Sequence, residues 1–247
     1  ERRLTLQLVV SQIVGENSTP ESAATRILEA LCISQGWDAG MHWVVDAKET
    51  RLEFCTAWGA PGRRSEALIR ENMSLGMAIG VDLAGRAWKD ARSVWVANLA
   101  TLDRTERIES ALRQEMASSW AVPVRIGNKV LAVLEFYSRF RLREDREALA
   151  TVETVAASLG QLMARSQERG HLEELYRRQE VLLDSVADGI CGLDQNGKVS
   201  FVNPAAARML GADTSALIGT AVHDLLHGAA PRDGLCNEDC TLLRNAS

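Results

Sequence analysis

Residues able to do chemistry are few in this sequence, and their spacing limits what each can do. His223 and His227 stand four apart, and Cys236 and Cys240 repeat that interval further on. One helical turn brings side chains four apart together, and two imidazoles with two thiolates suit tetrahedral zinc. These four are the candidate metal ligands; the competing reading makes them two independent surface pairs. Cys191 would extend the set toward an iron–sulfur site. His42, beside Trp43, can in principle ligate haem, but a lone strand histidine is ordinarily a core residue. Haem is therefore not expected, zinc is the metal the spacing suits best, and no cofactor is assigned.

Six tryptophans, Trp37, Trp43, Trp58, Trp88, Trp95 and Trp120, crowd the first half of the chain. Ligand pockets favour aromatic walls with a few polar groups, so His42, Trp43, Trp58, Trp88, Trp95 and Trp120 are the candidate lining. The alternative is that they simply fill a core. The stretch Gly80-Val81-Asp82-Leu83-Ala84-Gly85-Arg86-Ala87 has the glycine spacing of a phosphate loop. It lacks the lysine and hydroxyl that would hold phosphate and magnesium, so its glycines read as tight backbone turns. No nucleophile–base set stands in a recognisable context, so no enzyme is expected in these residues. No aromatic and basic patch points to nucleic acid.

The bulk numbers agree. The 247 residues carry a net charge of −5, with 46% hydrophobic and 25% charged residues. That composition buries a core and offers no basic field for DNA or an anionic membrane. No apolar run nears the roughly 20 residues needed to span a bilayer, and no secretory signal is present, so no membrane contact is expected. Five scattered cysteines fit a reducing cytoplasm better than a disulfide framework. The chain opens on glutamate, which suggests a piece of something longer.

The elements that would position these residues follow from periodicity. Residues 1–14 read as a helix with Leu4, Leu8 and Val9 on one side, followed by a turn from Asn17. Thr19 and Pro20 open a second helix that runs to Gly36. Met41–Val45 and Arg51–Trp58 alternate as a hairpin. A short helix, a loop over 74–88, a strand at Ser93–Val96 and a helix over Thr105–Glu115 lead to a second hairpin, Trp120–Arg125 with Lys129–Tyr137. From Asp145 to Leu183 there is no proline and one interior glycine. Val152, Val155, Leu159 and Leu162 make one apolar stripe; Leu172, Leu175, Leu182 and Val186 make another, shifted by one residue. A helix of that length extends roughly 58 Å and reads as a rod that pairs with a copy of itself. Two shorter helices broken at Gly170 are the alternative.

Two stretches carry a family resemblance. Residues 76–88, GMAIGVDLAGRAW, followed by SVWVANL, resemble the crossover of GAF domains. Residues 118–138, SSWAVPVRIGNKVLAVLEFYS, resemble the last two GAF strands, with Ala132 where the family often has glycine. Residues 1–165 are covered, and the resemblance implies the fold more than any one ligand. GAF-like free methionine-sulfoxide reductases need cysteines in that loop, and none lies between Gly76 and Trp88. Cys32 and Cys55 read as small buried residues. Neither a bilin-attachment cysteine nor the cyclic-nucleotide constellation is found.

After the rod, Asp188-Gly189-Ile190, Asp194 with Gly197, then Phe201, Asn203, Ala205 and Ala206, resemble the opening of a PAS domain, with Leu217-Ile218-Gly219 following. The later PAS strands are expected to be missing, and Thr241 replaces a proline usual after the second cysteine.

The expected fold is α+β: a GAF-type antiparallel sheet flanked by helices over 1–150, a signalling helix over 145–183, and an incomplete PAS segment over 184–247. The resemblance implies a cytoplasmic sensory input region of a bacterial signalling protein, working as a parallel homodimer. A small molecule would bind in the GAF part, and Gly170 would act as the switch point. A histidine kinase or diguanylate cyclase is the expected output. A ligand-free dimerisation platform and a metal or redox sensor are the alternatives.

Overall fold

Thr19 opens the first helix as its N-cap, accepting from the Ser22 amide at 3.3 Å, and Pro20 follows with a preset φ. This helix, α1, spans Pro20–Gln35 and closes on Gly36 at φ 76°. The computed structural model describes residues 12–13, 18–222 and 225. The helix expected over 1–14, with the turn at Asn17, lies outside them except at Gln12 and Ile13.

Two hairpins form the heart of the first unit, residues 1–169. Strands β1 (Ala39–Val45) and β2 (Arg51–Gly59) pair antiparallel, as do β5 (Ser118–Ile126) and β6 (Lys129–Ser138). β1 and β6 then join antiparallel, so residues about a hundred apart in sequence meet at the centre. Short strands β3 (Met77–Ala78) and β4 (Val94–Val96) cover the edges, in the order β3-β2-β1-β6-β5-β4. Between the hairpins lie α2 (Arg63–Asn72), α3 (Asp82–Asp90), a 3₁₀ turn (Leu99–Thr101) and α4 (Glu106–Arg113).

Strand alternation sends successive side chains to opposite faces. One face meets α1 and the first half of the long helix α5 (Arg146–Ser185), with Ile27, Leu31, Trp120, Leu134, Phe136, Val155 and Leu159 in that core. The other meets the crossover, burying Met41, Trp43, Leu52, Leu68, Leu83, Val133 and Tyr137.

The sequence reading of 74–88 as a loop is corrected here. Leu83, Ala84, Ala87 and Trp88 fall on one helical face and are buried together in α3. Gly85 is not a loop glycine: a Cβ there would meet the Ala78 carbonyl oxygen at 2.5 Å. It permits a close approach inside the helix.

The helix α5 has 40 residues and passes Gly170 unbroken, so the two-helix alternative is not adopted. Val152, Val155, Leu159 and Met163 are buried; Leu172, Leu175, Val181 and Leu182 are exposed.

The second unit, residues 170–247, holds a small hairpin of β7 (Cys191–Leu193) and β8 (Val199–Val202), then α6 (Pro204–Leu210) and α7 (Thr214–Leu217). Val199, Val202, Ala206, Ala207 and Leu217 form its core. Asn203 is fully buried and satisfied: Oδ1 accepts from the Ile190 and Ala206 amides at 2.9 Å, while Nδ2 donates to the Leu183 and Asp188 carbonyls at 3.1 and 3.0 Å.

Candidate functional site

The crossover face carries a charged cluster where periodicity calls for apolar residues. Glu135 lies in β6 between Leu134 and Phe136 and is 1% exposed. A buried carboxylate needs a partner, because desolvation otherwise costs several kcal/mol. The partner is Arg107, in the first turn of α4 and 3% exposed. Its Nη2 pairs with Glu135 Oε2 and donates to the Tyr137 hydroxyl at 3.1 Å, and its Nε donates to Asn72 Oδ1 at 2.8 Å. Trp43 adds to the shell, although Glu135 Oε1 has no hydrogen-bond partner among the described residues. Its indole N–H donates to Glu135 Oε2 at 3.0 Å, and its ring centroid lies 4.4 Å from the guanidinium carbon. Burial opposes the Arg107 charge, but the Glu135 carboxylate outweighs it and holds the guanidinium ionised. Burial likewise pushes the Tyr137 hydroxyl well above its usual 10.

The Nη1 edge of Arg107 is served less well. Its contacts are the Met77 thioether, a weak acceptor, and Asp82 Oδ2 at 3.8 Å, beyond hydrogen-bond reach. Asp82 opens α3 with a left-handed φ of 53°, and its other oxygen accepts from the Thr105 hydroxyl at 2.7 Å. Thr105 also caps α4 by accepting from the Ile108 amide at 3.3 Å, so one hydroxyl ties the starts of α3 and α4 together. Above this edge lies a pocket of about 220 Å³ that opens to solvent. Asp82, Thr105, Glu106 and Arg107 line one side, and Leu75, Met77 and Val81 supply apolar wall. Met73, Ile79 and Val81 are exposed around this stretch.

The six residues expected to line a pocket are divided between the two faces and do not surround this cavity. Trp43 and Trp88 belong to the crossover core. Trp58, Trp95 and Trp120 pack on the opposite, helix-covered face, where Trp37, Trp95 and Trp120 meet edge-on or tilted with centroids 5.3 to 6.0 Å apart. The period of two in the strands separates them. His42 sits between Met41 and Trp43 and so faces the helix side. It is 1% exposed, neither ring nitrogen has a partner among the described residues, and burial lowers its pKa to about 4. Cys32 is buried with its thiol pushed well up, burial being the first cause, as suits a core residue. Gly170 is an exposed helical position with nothing within 4 Å of an added Cβ. His223, His227, Cys236 and Cys240 lie outside the described residues. Among the described residues no group of three or more His, Cys, Asp or Glu could hold a metal.

Asp82, Thr105, Arg107 and Glu135 escaped the sequence reading. Glu135 alone left a signal, as the one carboxylate in the apolar run VLAVLEFYS. Arg107 looks like any helix-surface arginine until its partners, 28 and 30 residues away, are known.

Comparison with known proteins fits this architecture. Residues 17–164 match the GAF domain family and residues 177–239 the PAS fold. No curated protein matches. Among solved structures, the GAF domain of an Acinetobacter phosphoenolpyruvate-protein phosphotransferase is 15% identical, with a TM-score of 0.56 over 69% of this chain and 98% of that one. The Neisseria meningitidis free methionine-R-sulfoxide reductase, solved in complex with its substrate, is 17% identical, with a TM-score of 0.54 over 68% and 94%. The GAF domain of A. aeolicus nlh2, in an inactive state, is 14% identical, with a TM-score of 0.53 over 67% and 97%. At these identities the likeness shows a shared fold. No helix among the described residues is long and apolar enough to cross a membrane. With its crossover, six-stranded antiparallel sheet and matching family model, this chain belongs to the GAF domain family, and its GAF domain is followed by a PAS-fold segment.

Proposed function

We propose that this chain is a cytoplasmic sensory input region whose GAF domain binds a small molecule in the cavity above Asp82 and Arg107. The observation that carries the reading is a buried arginine with one edge poorly satisfied at the wall of a cavity. GAF and PAS domains occur in signalling proteins, and this chain has both in series. Ligand occupancy would bias the crossover, which packs on the sheet, and α5, which packs on the sheet's other face, would carry that bias onward. The exposed Leu172, Leu175 and Leu182 support pairing of α5 with a second copy as a parallel coiled coil. A histidine kinase is the proposed output, with a diguanylate cyclase the alternative; the input region itself is proposed to be non-enzymatic.

Native mass spectrometry of gently purified protein tests the site. A bound small mass is expected in the wild type and not in Val81→Trp, which fills the cavity wall. A protein that carries no mass and takes up none from a metabolite extract would favour a ligand-free dimerisation platform, a reading the exposed α5 leucines also suit. A metal or redox role for His223, His227, Cys236 and Cys240 is checked separately, by metal analysis of wild type against Cys236→Ser with Cys240→Ser.

A further inference from the structure

We propose, resting on the cavity being the ligand site, that it takes a small zwitterion: an α-amino acid with an apolar side chain. Three observations lead there. The first is the gap between Arg107 Nη1 and Asp82 Oδ2. At 3.8 Å the two charges are too far apart to hydrogen-bond and close enough to be bridged. Both side chains are more than nine-tenths buried, at 4% and 5% exposure, and both line the cavity. An α-amino acid offers a carboxylate and an ammonium on neighbouring atoms. The carboxylate would give Nη1 the strong acceptor that the Met77 thioether is not, and the ammonium would donate to Asp82 Oδ2.

The second observation is the charge count. One guanidinium, Arg107, faces two buried carboxylates, Asp82 and Glu135. A bare anion would add a second uncompensated negative charge beside two buried charged side chains. A bare cation would cancel the net negative charge, but it would meet the guanidinium edge and leave Nη1 with its sulfur contact. A zwitterion leaves the net charge unchanged and satisfies both groups. The third observation is size and lining. A cavity of about 220 Å³ is smaller than the pockets of drug-sized ligands. The apolar wall of Leu75, Met77 and Val81 suits a branched aliphatic side chain beside the charged end.

Calorimetric titration with three probes tests the class: L-leucine, 4-methylpentanoate, which lacks the amine, and isoamylamine, which lacks the carboxylate. L-leucine is expected to bind about tenfold or more tighter than either, since each analogue lacks one of the two charged hydrogen bonds. Asp82→Asn keeps an acceptor for Thr105 but removes the charge that holds the ammonium. It should weaken L-leucine about tenfold and leave 4-methylpentanoate unchanged or tighter, a split that general loosening of the fold would not produce. Equal binding of all three probes, or none of L-leucine, would overturn the zwitterion assignment. In that case a different metabolite retained by the wild type and lost in Val81→Trp would keep the site and discard only the class. Binding of L-leucine that survives Val81→Trp would discard the site as well.

Discussion

Asn203 Nδ2 donates to the Leu183 carbonyl at 3.1 Å, so a side chain from the start of α6 holds the last turn of α5. The same amide caps α6 through Oδ1. Asn203→Asp keeps the two accepted bonds and points a second oxygen at the Leu183 and Asp188 carbonyls, where a donor is required. Hydrogen exchange of amides around 183–188 should rise about tenfold in this variant, with the first turn of α6 still protected. Exchange there at the wild-type rate would show that the bond does not hold the helix end.

Breaking the buried pair should be costly and removing it whole should be less so. Arg107→Leu or Glu135→Leu alone leaves an uncompensated charge and is expected to cost about 3–5 kcal/mol. The double variant should cost clearly less than the sum of the two. Denaturant unfolding of all four proteins completes the cycle.

His42 sets a pH dependence. Its pKa is near 4 in the fold, lowered chiefly by burial with Glu21 partly opposing, against 6.5 in the unfolded chain. Between those values the unfolded state takes up a proton that the folded state refuses. Stability should therefore fall as pH drops from about 6.5 to about 4, by about 3 kcal/mol over the whole window, and this contribution should flatten below it. His42→Leu is expected to remove that component. It is read as the difference between the unfolding free energies of wild type and variant at pH 7 and pH 4.5.

Two glycines in α5 should respond to alanine with opposite sign. A Cβ at Gly160 would meet the Arg125 carbonyl oxygen at 2.8 Å, so Gly160→Ala must push the helix off β5. At Gly170 nothing lies within 4 Å, and Gly170→Ala should strengthen the helix by up to about 1 kcal/mol. Thermal unfolding would register a loss for the first. Slower exchange of amides 167–175 would register the gain for the second. Gly170→Pro, by removing a helix hydrogen bond, is expected instead to speed exchange of the same amides.

Local signals sufficed for much of this architecture. Thr19 with Pro20 and Asn203 with Pro204 announced helix starts, strand alternation announced both hairpins, and the uninterrupted run after Asp145 announced α5. Each rests on neighbours within a few residues, which is why sequence alone determined it. The helix over Asp82–Asp90 was hidden because Gly80 and Gly85 look like loop residues until Ala78 is seen against Gly85. The candidate site was hidden for a deeper reason. Strand period splits the tryptophans between two faces, while Asp82, Arg107 and Glu135 come from three separate elements. Only the pairing of β1 with β6 and the folding of the crossover onto that sheet bring their charges together. Charge burial is a property of that assembled packing, and no stretch of sequence displays it.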